Sequence, residues 1–184
     1  MDKLPSITFH MRERDVSLAA VGNPNPYVWA RKNTEDLFAN KRVLIFGLPG
    51  AFTPTCSNSQ LPGYEKMYDQ FVNECDIDEI WCTSVNDAFT MFQWAQHQGI
   101  KKVKMLPDGN GDFARALGML VDKSNLGFGL RSWRYAMAVE NLGIVRTFEE
   151  RDLMDICPDD PYHYSAPEYV YESLKMGQPL SQAG

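Results

Sequence analysis

Basic residues are in the minority in this 184-residue sequence: 18 Lys and Arg stand against 24 Asp and Glu, a formal charge of −6. A balance of that sign argues against a protein that lives on nucleic acid or anionic membrane, so neither is expected as a partner. No run approaches the ~18 uninterrupted apolar residues that a bilayer span requires. The N-terminus, MDKLPSITFHMRER, has no apolar core region and no small-residue cleavage site, which argues against export. Histidine is scarce, with only His10, His97 and His163, and none stands near a cysteine in sequence. The four cysteines, at 56, 75, 82 and 157, are too few for a disulfide scaffold. Their separations of 19, 7 and 75 residues form no Cys-x-x-Cys pair and match no zinc template. Reduced thiols in a cytoplasmic chain, with no metal and no bound cofactor, are the expectation.

What is present is a globular composition. The length predicts one domain over residues 1–184, at ~100–200 residues per domain. Hydrophobic residues at 44% and aromatics at 12% exclude disorder. The first forty residues, with Pro5, Pro24 and Pro26, read as short strands and turns. They end in a small helix with Thr34 as N-cap and Glu35 and Asp36 in its first turn. Arg42 to Leu48 (RVLIFGL) is apolar enough for a strand buried on both faces. After PGAFTPTCSNSQLPG comes a helix whose apolar positions Tyr64, Met67, Tyr68, Phe71, Val72 and Cys75 follow helical spacing. Pro62 stands at or just before its start.

A second buried strand spans Glu79 to Val85, with Asn86 or Asp87 capping the next helix and Gly99 ending it. A third strand, Val103 to Leu106, leads to a short helix near Phe113 to Leu117. Arg134 to Glu140 and Ile144 to Phe148 flank the turn Asn141-Leu142-Gly143 as a hairpin. The last helix opens with a capping box, Ser165-Ala-Pro-Glu168, and closes near Gly177. This order predicts an α/β fold of thioredoxin-like layout: a mixed central sheet flanked by helices, with an N-terminal extension.

In such sheets ligands gather beyond the carboxyl ends of parallel strands, where helices begin. Cys56 lies eight residues past Leu48, at the opening of the next helix. Unpaired N–H groups there favour an anion, and cysteine pKa values fall from about 8.5 to about 3.5–7.5 in such places. Its neighbours Thr53, Pro54, Thr55 and Ser57 are polar or turn-forming, where a packing cysteine would sit among apolar residues. Asp108-Gly-Asn-Gly-Asp112-Phe113 imitates the start of a calcium loop, but Phe113 stands where glycine is required and Met119 where glutamate belongs. Trp81, Trp94 and Trp133 read as core or interface anchors.

Residues 47–57, GLPGAFTPTCS, contain the Pro-x-x-x-Thr-x-x-Cys pattern as Pro49, Thr53 and Cys56. This resembles the peroxiredoxins, and in its longer form the type V subfamily that includes the bacterial peroxiredoxin–glutaredoxin fusions. The resemblance continues through SVNDAF, PDGNGDFARALGM and GFGLRSWRYAMAV, covering residues 41–148. It implies a thiol peroxidase acting on hydrogen peroxide and organic hydroperoxides. Cys56 would be the peroxidatic cysteine, oxidised to a sulfenic acid. Thr53 would hydrogen-bond thiolate and peroxide, Pro49 would shield the thiolate, and Arg134 would bridge to the sulfur and stabilise the departing oxygen. Arg131 is a weaker candidate for that last role.

The chain departs from the two-cysteine type V pattern. Where those relatives carry a resolving cysteine before the final helix, this sequence has Tyr164-Ser165-Ala166-Pro167. Cys75 and Cys82 read as packing residues. Cys157 lies in EERDLMDICPDDPYHY, which replaces a shorter segment, and stays open as a resolving thiol. The expectation is a one-cysteine enzyme recycled by an external thiol, glutathione with or without glutaredoxin, with thioredoxin as the competitor. A homodimer is expected from the resemblance. A non-catalytic redox sensor on the same fold is the alternative, while a cysteine hydrolase lacks a base and an orienting partner, His97 and His163 being generic.

Overall fold

The computed structural model describes residues 3–177. Its centre is β3 (Arg42–Gly47), whose apolar run is buried along both faces. Successive side chains of a strand point opposite ways. Leu44 and Phe46 therefore enter one apolar cluster, with Tyr64, Phe71, Trp94 and Val170, while Val43 and Ile45 enter another, with Phe38, Phe113, Trp133 and Met137. A five-stranded sheet separates the two layers, in the order β5 (Lys104–Pro107), β4 (Glu79–Ser84), β3, β8 (Tyr135–Glu140), β9 (Gly143–Glu149). β3 pairs in parallel with β4 and antiparallel with β8, so the sheet is mixed, as expected of a thioredoxin-like layout.

Helices α3 (Leu61–Cys75), α4 (Ala88–His97) and α6 (Pro167–Gly177) supply the apolar residues of the first layer. The second is closed by α2 (Thr34–Phe38), α5 (Asp112–Leu117) and Phe9 of β1 (Thr8–Arg14). β1 pairs antiparallel with β2 (Tyr27–Asn33), and the short α1 (Val16–Ala20) lies in their connection. β6 (Leu120–Asp122) and β7 (Leu130–Ser132) form a small ribbon that the sequence reading did not anticipate. The three tryptophans read as anchors, Trp81, Trp94 and Trp133, are all buried.

Several local readings are corrected. The N-cap of α2 is Asn33, which forms a capping box with Asp36. Thr34 is not the cap because its buried hydroxyl serves the N-terminal segment, donating to Pro5 O at 2.7 Å and accepting from Ile7 N at 2.9 Å. Asp87, rather than Asn86, caps α4. The capping box expected at Ser165 is replaced: the Ser165 N–H, which would pair with Glu168, donates with its hydroxyl to Glu150 Oε1, each at 2.8 Å. The β8–β9 turn is a two-residue one, Asn141 and Leu142, both at positive φ (43° and 71°). Leu142 holds that unfavourable conformation because its side chain is buried in the second apolar layer and its carbonyl accepts from Leu4 N.

Candidate active site

The register of β3 against β8 sets the site. Gly47 pairs with Tyr135, so Arg134 enters the sheet beside the point where the chain leaves β3 for the loop carrying Cys56. That pairing requires glycine, since a Cβ at position 47 would stand 2.3 Å from the Tyr135 ring. Past Leu48 the chain turns through Ala51 and Phe52, the latter at a φ of 64°. Asn86, two residues past the end of β4, holds this loop by accepting from Ala51 N at 3.0 Å. Helical geometry begins at Pro54, a tolerated position for proline, so Cys56 falls in the first turn, where backbone N–H groups lack helical partners.

From Cys56 to Gln60 the helix widens into a π turn, with Leu61 N donating to Cys56 O. Pro62 accounts for the widening: it has no N–H to give, and its ring crowds the carbonyl one helical turn back. The turn is pinned from the side by Trp94, whose Nε1 donates to Ser57 Oγ at 3.0 Å.

Cys56 is fully buried, and Arg134 is 2% exposed. The guanidinium reaches three acceptors at once: Nη1 lies 3.4 Å from Cys56 Sγ and 2.6 Å from Gln60 Oε1, and Nη2 lies 2.5 Å from Asp160 Oδ1. Its planar fork is suited to such bridging. Burial works against the Arg134 charge, but Cys56 and Asp160 outweigh it and raise its pKa above the usual value. Burial likewise pushes the Asp160 carboxyl up, and Arg134, a hydrogen bond from Thr55 and the nearby Lys123 pull it net below the usual carboxylate value. Tyr162 stacks its ring 5.6 Å from the guanidinium, and burial pushes its phenol up to about 12, so it stays neutral. Pro49, Thr53, Thr55, Lys123, Arg134 and Asp160 line a cleft of about 160 Å³.

Such a site can hold a sulfur anion against a fixed cation and admit a small molecule beside it. A sequence profile of the redoxin family matches residues 2–160. A peroxiredoxin of Synechocystis is 51% identical over 174 residues, covering 95% of this chain and 90% of its own length. The chain belongs to the peroxiredoxins. The hybrid peroxiredoxin hyPrx5 of Haemophilus influenzae is 41% identical over 94% of this chain and 64% of its own. A crystal structure named as the Plasmodium falciparum antioxidant protein (1-Cys peroxiredoxin) superposes with a TM-score of 0.88 at 39% identity, covering 95% of this chain and 98% of that one.

Of the residues that sequence singled out, this peroxiredoxin fold brings Pro49, Thr53 and Arg134 to one cleft, with buried Cys56 joined to it through Arg134. Arg131 does not join them. It donates to Phe128 O at 3.0 Å and to Val85 O at 3.1 Å, bracing the wall behind Gly50. The Thr53 hydroxyl donates to Gly50 O at 2.7 Å, which leaves its oxygen lone pairs free to accept. Cys82 and Cys75 share the apolar layer of Cys56, and burial pushes both thiols up, the neighbouring Cys56 adding to this for Cys82. A thiol held protonated is a poor nucleophile. Cys157 is buried in the opposite layer, and its segment is tied to β6 by Ile156 N donating to Asp122 O at 2.7 Å.

Asn86 was read only as a possible helix cap, and Gln60, Lys123 and Asp160 escaped the sequence reading. Only Asp160 carried a signal, since it lies in the segment that departs from the two-cysteine pattern. That segment is fastened by buried Glu150, whose carboxylate takes Ser165 and His163 N–H groups and whose carbonyl takes Trp133 Nε1. The calcium-like loop has another use: Asp108 accepts from Phe113 N and Ala114 N, opening α5. Among the described residues no three His, Cys, Asp or Glu side chains converge as a metal site.

Proposed function

We propose that this peroxiredoxin is a one-cysteine thiol peroxidase, with Cys56 as its peroxidatic residue and glutathione, with or without glutaredoxin, as its reductant. The observation that carries the reading is the Arg134 guanidinium 3.4 Å from Cys56 Sγ, at the edge of a small cleft. The Cys56 thiolate attacks one oxygen of hydrogen peroxide or an organic hydroperoxide. An S–O bond forms and the O–O bond breaks, leaving a sulfenic acid and an oxyanion that takes up a proton to depart as water or alcohol. Arg134 faces the charge as it moves from sulfur to the leaving oxygen. Thr53, its proton already given to Gly50, accepts the peroxide O–H, and Pro49 walls the sulfur from bulk water.

The placement of the other thiols supports this reading of the reductant. Tyr164 occupies the position of the expected resolving cysteine, and Cys157 is on the other side of the sheet from Cys56. In this reading the sulfenic acid meets an external thiol. Its repair forms a Cys56–thiol disulfide and water, and a second thiol releases the reduced enzyme. The structure named as a one-cysteine peroxiredoxin lends support by its similarity. In this reading the chain works as a homodimer in the cytoplasm, where glutathione is abundant.

The test is a peroxidase assay with glutathione, glutaredoxin and thioredoxin systems run side by side on wild type, Cys56→Ser and Cys157→Ser. Cys56→Ser is expected to lose turnover to below a few per cent, and peroxide-treated wild type to gain about 16 Da, one oxygen, on Cys56. Glutathionylated Cys56 is expected to accumulate when glutaredoxin is withheld. Collapse of turnover in Cys157→Ser, with a Cys56–Cys157 disulfide in oxidised wild type, would replace this reading with a thioredoxin-recycled one.

A further inference from the structure

Lys123 has no part in the chemistry above, yet it lines the same cleft as Thr53, Arg134 and Asp160. It lies between β6 and the turn at Ser124–Leu126, with its N–H bound to Gly129 O at 2.8 Å and its Nζ 5.3 Å from the Trp133 ring. The residue is 2% exposed. Lysine is almost never so buried unless paired. Among the described residues Lys123 makes no ion pair. The one carboxylate of the cleft, Asp160, is already held by Arg134 at 2.5 Å.

The charge balance at the cleft depends on the state of Cys56, which Arg134 joins to it. Lys123 and Arg134 contribute two positive charges and Asp160 one negative. With Cys56 as the attacking thiolate beside Arg134, the set is neutral. Conversion to the uncharged sulfenic acid leaves one positive charge in excess in a partly enclosed cleft. We propose that Lys123 is a carboxylate-binding residue for the reducing thiol, so that the oxidised cleft selects a small thiol carrying a carboxylate, such as glutathione. The inference rests on the small-thiol reading of the reductant. Leu126 and Phe128 supply the apolar wall against which the body of such a molecule would lie. In the step it serves, the thiol sulfur attacks Cys56 sulfur, an S–S bond forms, the S–O bond breaks, and hydroxide leaves as water with the thiol proton. A second thiol then displaces Cys56 and departs as the oxidised disulfide.

The experiment oxidises the protein with one equivalent of hydrogen peroxide and measures the rate constant for reduction of the sulfenic acid by four thiols. These are glutathione, its dimethyl ester, 3-mercaptopropionate and 2-mercaptoethanol. In wild type, glutathione is expected to outpace its ester, and mercaptopropionate to outpace mercaptoethanol, each by about fivefold or more after correction for intrinsic thiol reactivity, with the advantage shrinking as salt is raised. In Lys123→Met both ratios are expected to fall to about one. Using ratios removes any general effect of the substitution on Cys56, and the wild-type ratios decide the matter even if the variant folds poorly. Ratios near one in wild type, or unchanged in the variant, would overturn the proposal. So would an effect confined to oxidation by a carboxylate-bearing hydroperoxide relative to its methyl ester. Should glutathione fail altogether while mercaptopropionate keeps its Lys123-dependent advantage, the glutathione reading fails and the carboxylate site stands.

Discussion

Replacing Arg134 by alanine removes the cation from a site where it holds three partners. The side chain is 2% exposed, and it gives hydrogen bonds to Cys56 Sγ, Gln60 Oε1 and Asp160 Oδ1. Two separate costs follow. The first is on the reaction: losing one preorganised donor at the point where charge develops lowers rate constants by roughly 10²–10³, or about 2.7–4 kcal/mol. The second is on stability. Breaking a buried ion pair costs about 3–5 kcal/mol, but Asp160 keeps 43% of its side chain open to water, so a loss of about 2 kcal/mol is expected. Stopped-flow oxidation of Cys56 by hydrogen peroxide measures the first, and urea unfolding the second. Iodoacetamide alkylation at pH 7 should also slow, because the thiolate loses its cation. Arg134→Lys separates charge from shape, since an ammonium cannot bridge three acceptors in one plane. It is expected to recover part of the alkylation rate and little of the peroxide rate. Asp160→Asn added to Arg134→Ala should return part of the lost stability, having removed the stranded carboxylate. An Arg134→Ala enzyme within tenfold of the wild-type peroxide rate would refute the role assigned to this guanidinium.

Gly47→Ala puts a Cβ 2.3 Å from the Tyr135 ring, next to Arg134, so it should destabilise the chain by about 1–3 kcal/mol and also lower the peroxide rate. An unchanged melting temperature would contradict the claimed approach of β3 and β8. Asp160 yields a pH prediction: its carboxyl is depressed in the folded chain, so its contribution to stability is present above the ordinary value of 3.8 and is lost as pH falls through the lower folded value. The stability gap between wild type and Asp160→Asn, measured by urea unfolding, should hold level from pH 5 to 8 and close in acid below about pH 4. A gap that widens in acid would reverse the sign of the argument.

What the sequence determined by itself was whatever depends on short-range pattern. Arg42 to Leu48 read as a strand buried on both faces because a short apolar run bounded by turn signals suits that element. The spacing of Tyr64, Phe71 and Cys75 was enough to place α3, and the polar, turn-forming surroundings of Cys56 set that cysteine apart from Cys75 and Cys82. The capping roles given to Thr34 and Ser165 were misjudged because hydroxyl groups serve several partners equally well locally. Distant ones, Pro5 for Thr34 and Glu150 for Ser165, decided between them. The approach of Arg134 to Cys56, 78 residues apart, was suggested by resemblance alone. Only the tertiary structure produces it, through the Gly47–Tyr135 register that carries Arg134 to the mouth of the Cys56 loop. Lys123 had no local signature, and Asp160 none beyond its place in the segment that departs from the two-cysteine pattern, because a charged residue in a polar stretch reads as solvated surface until packing takes the water away. Burial and convergence turn those charges into a site, and both belong to the folded chain rather than to any segment of it.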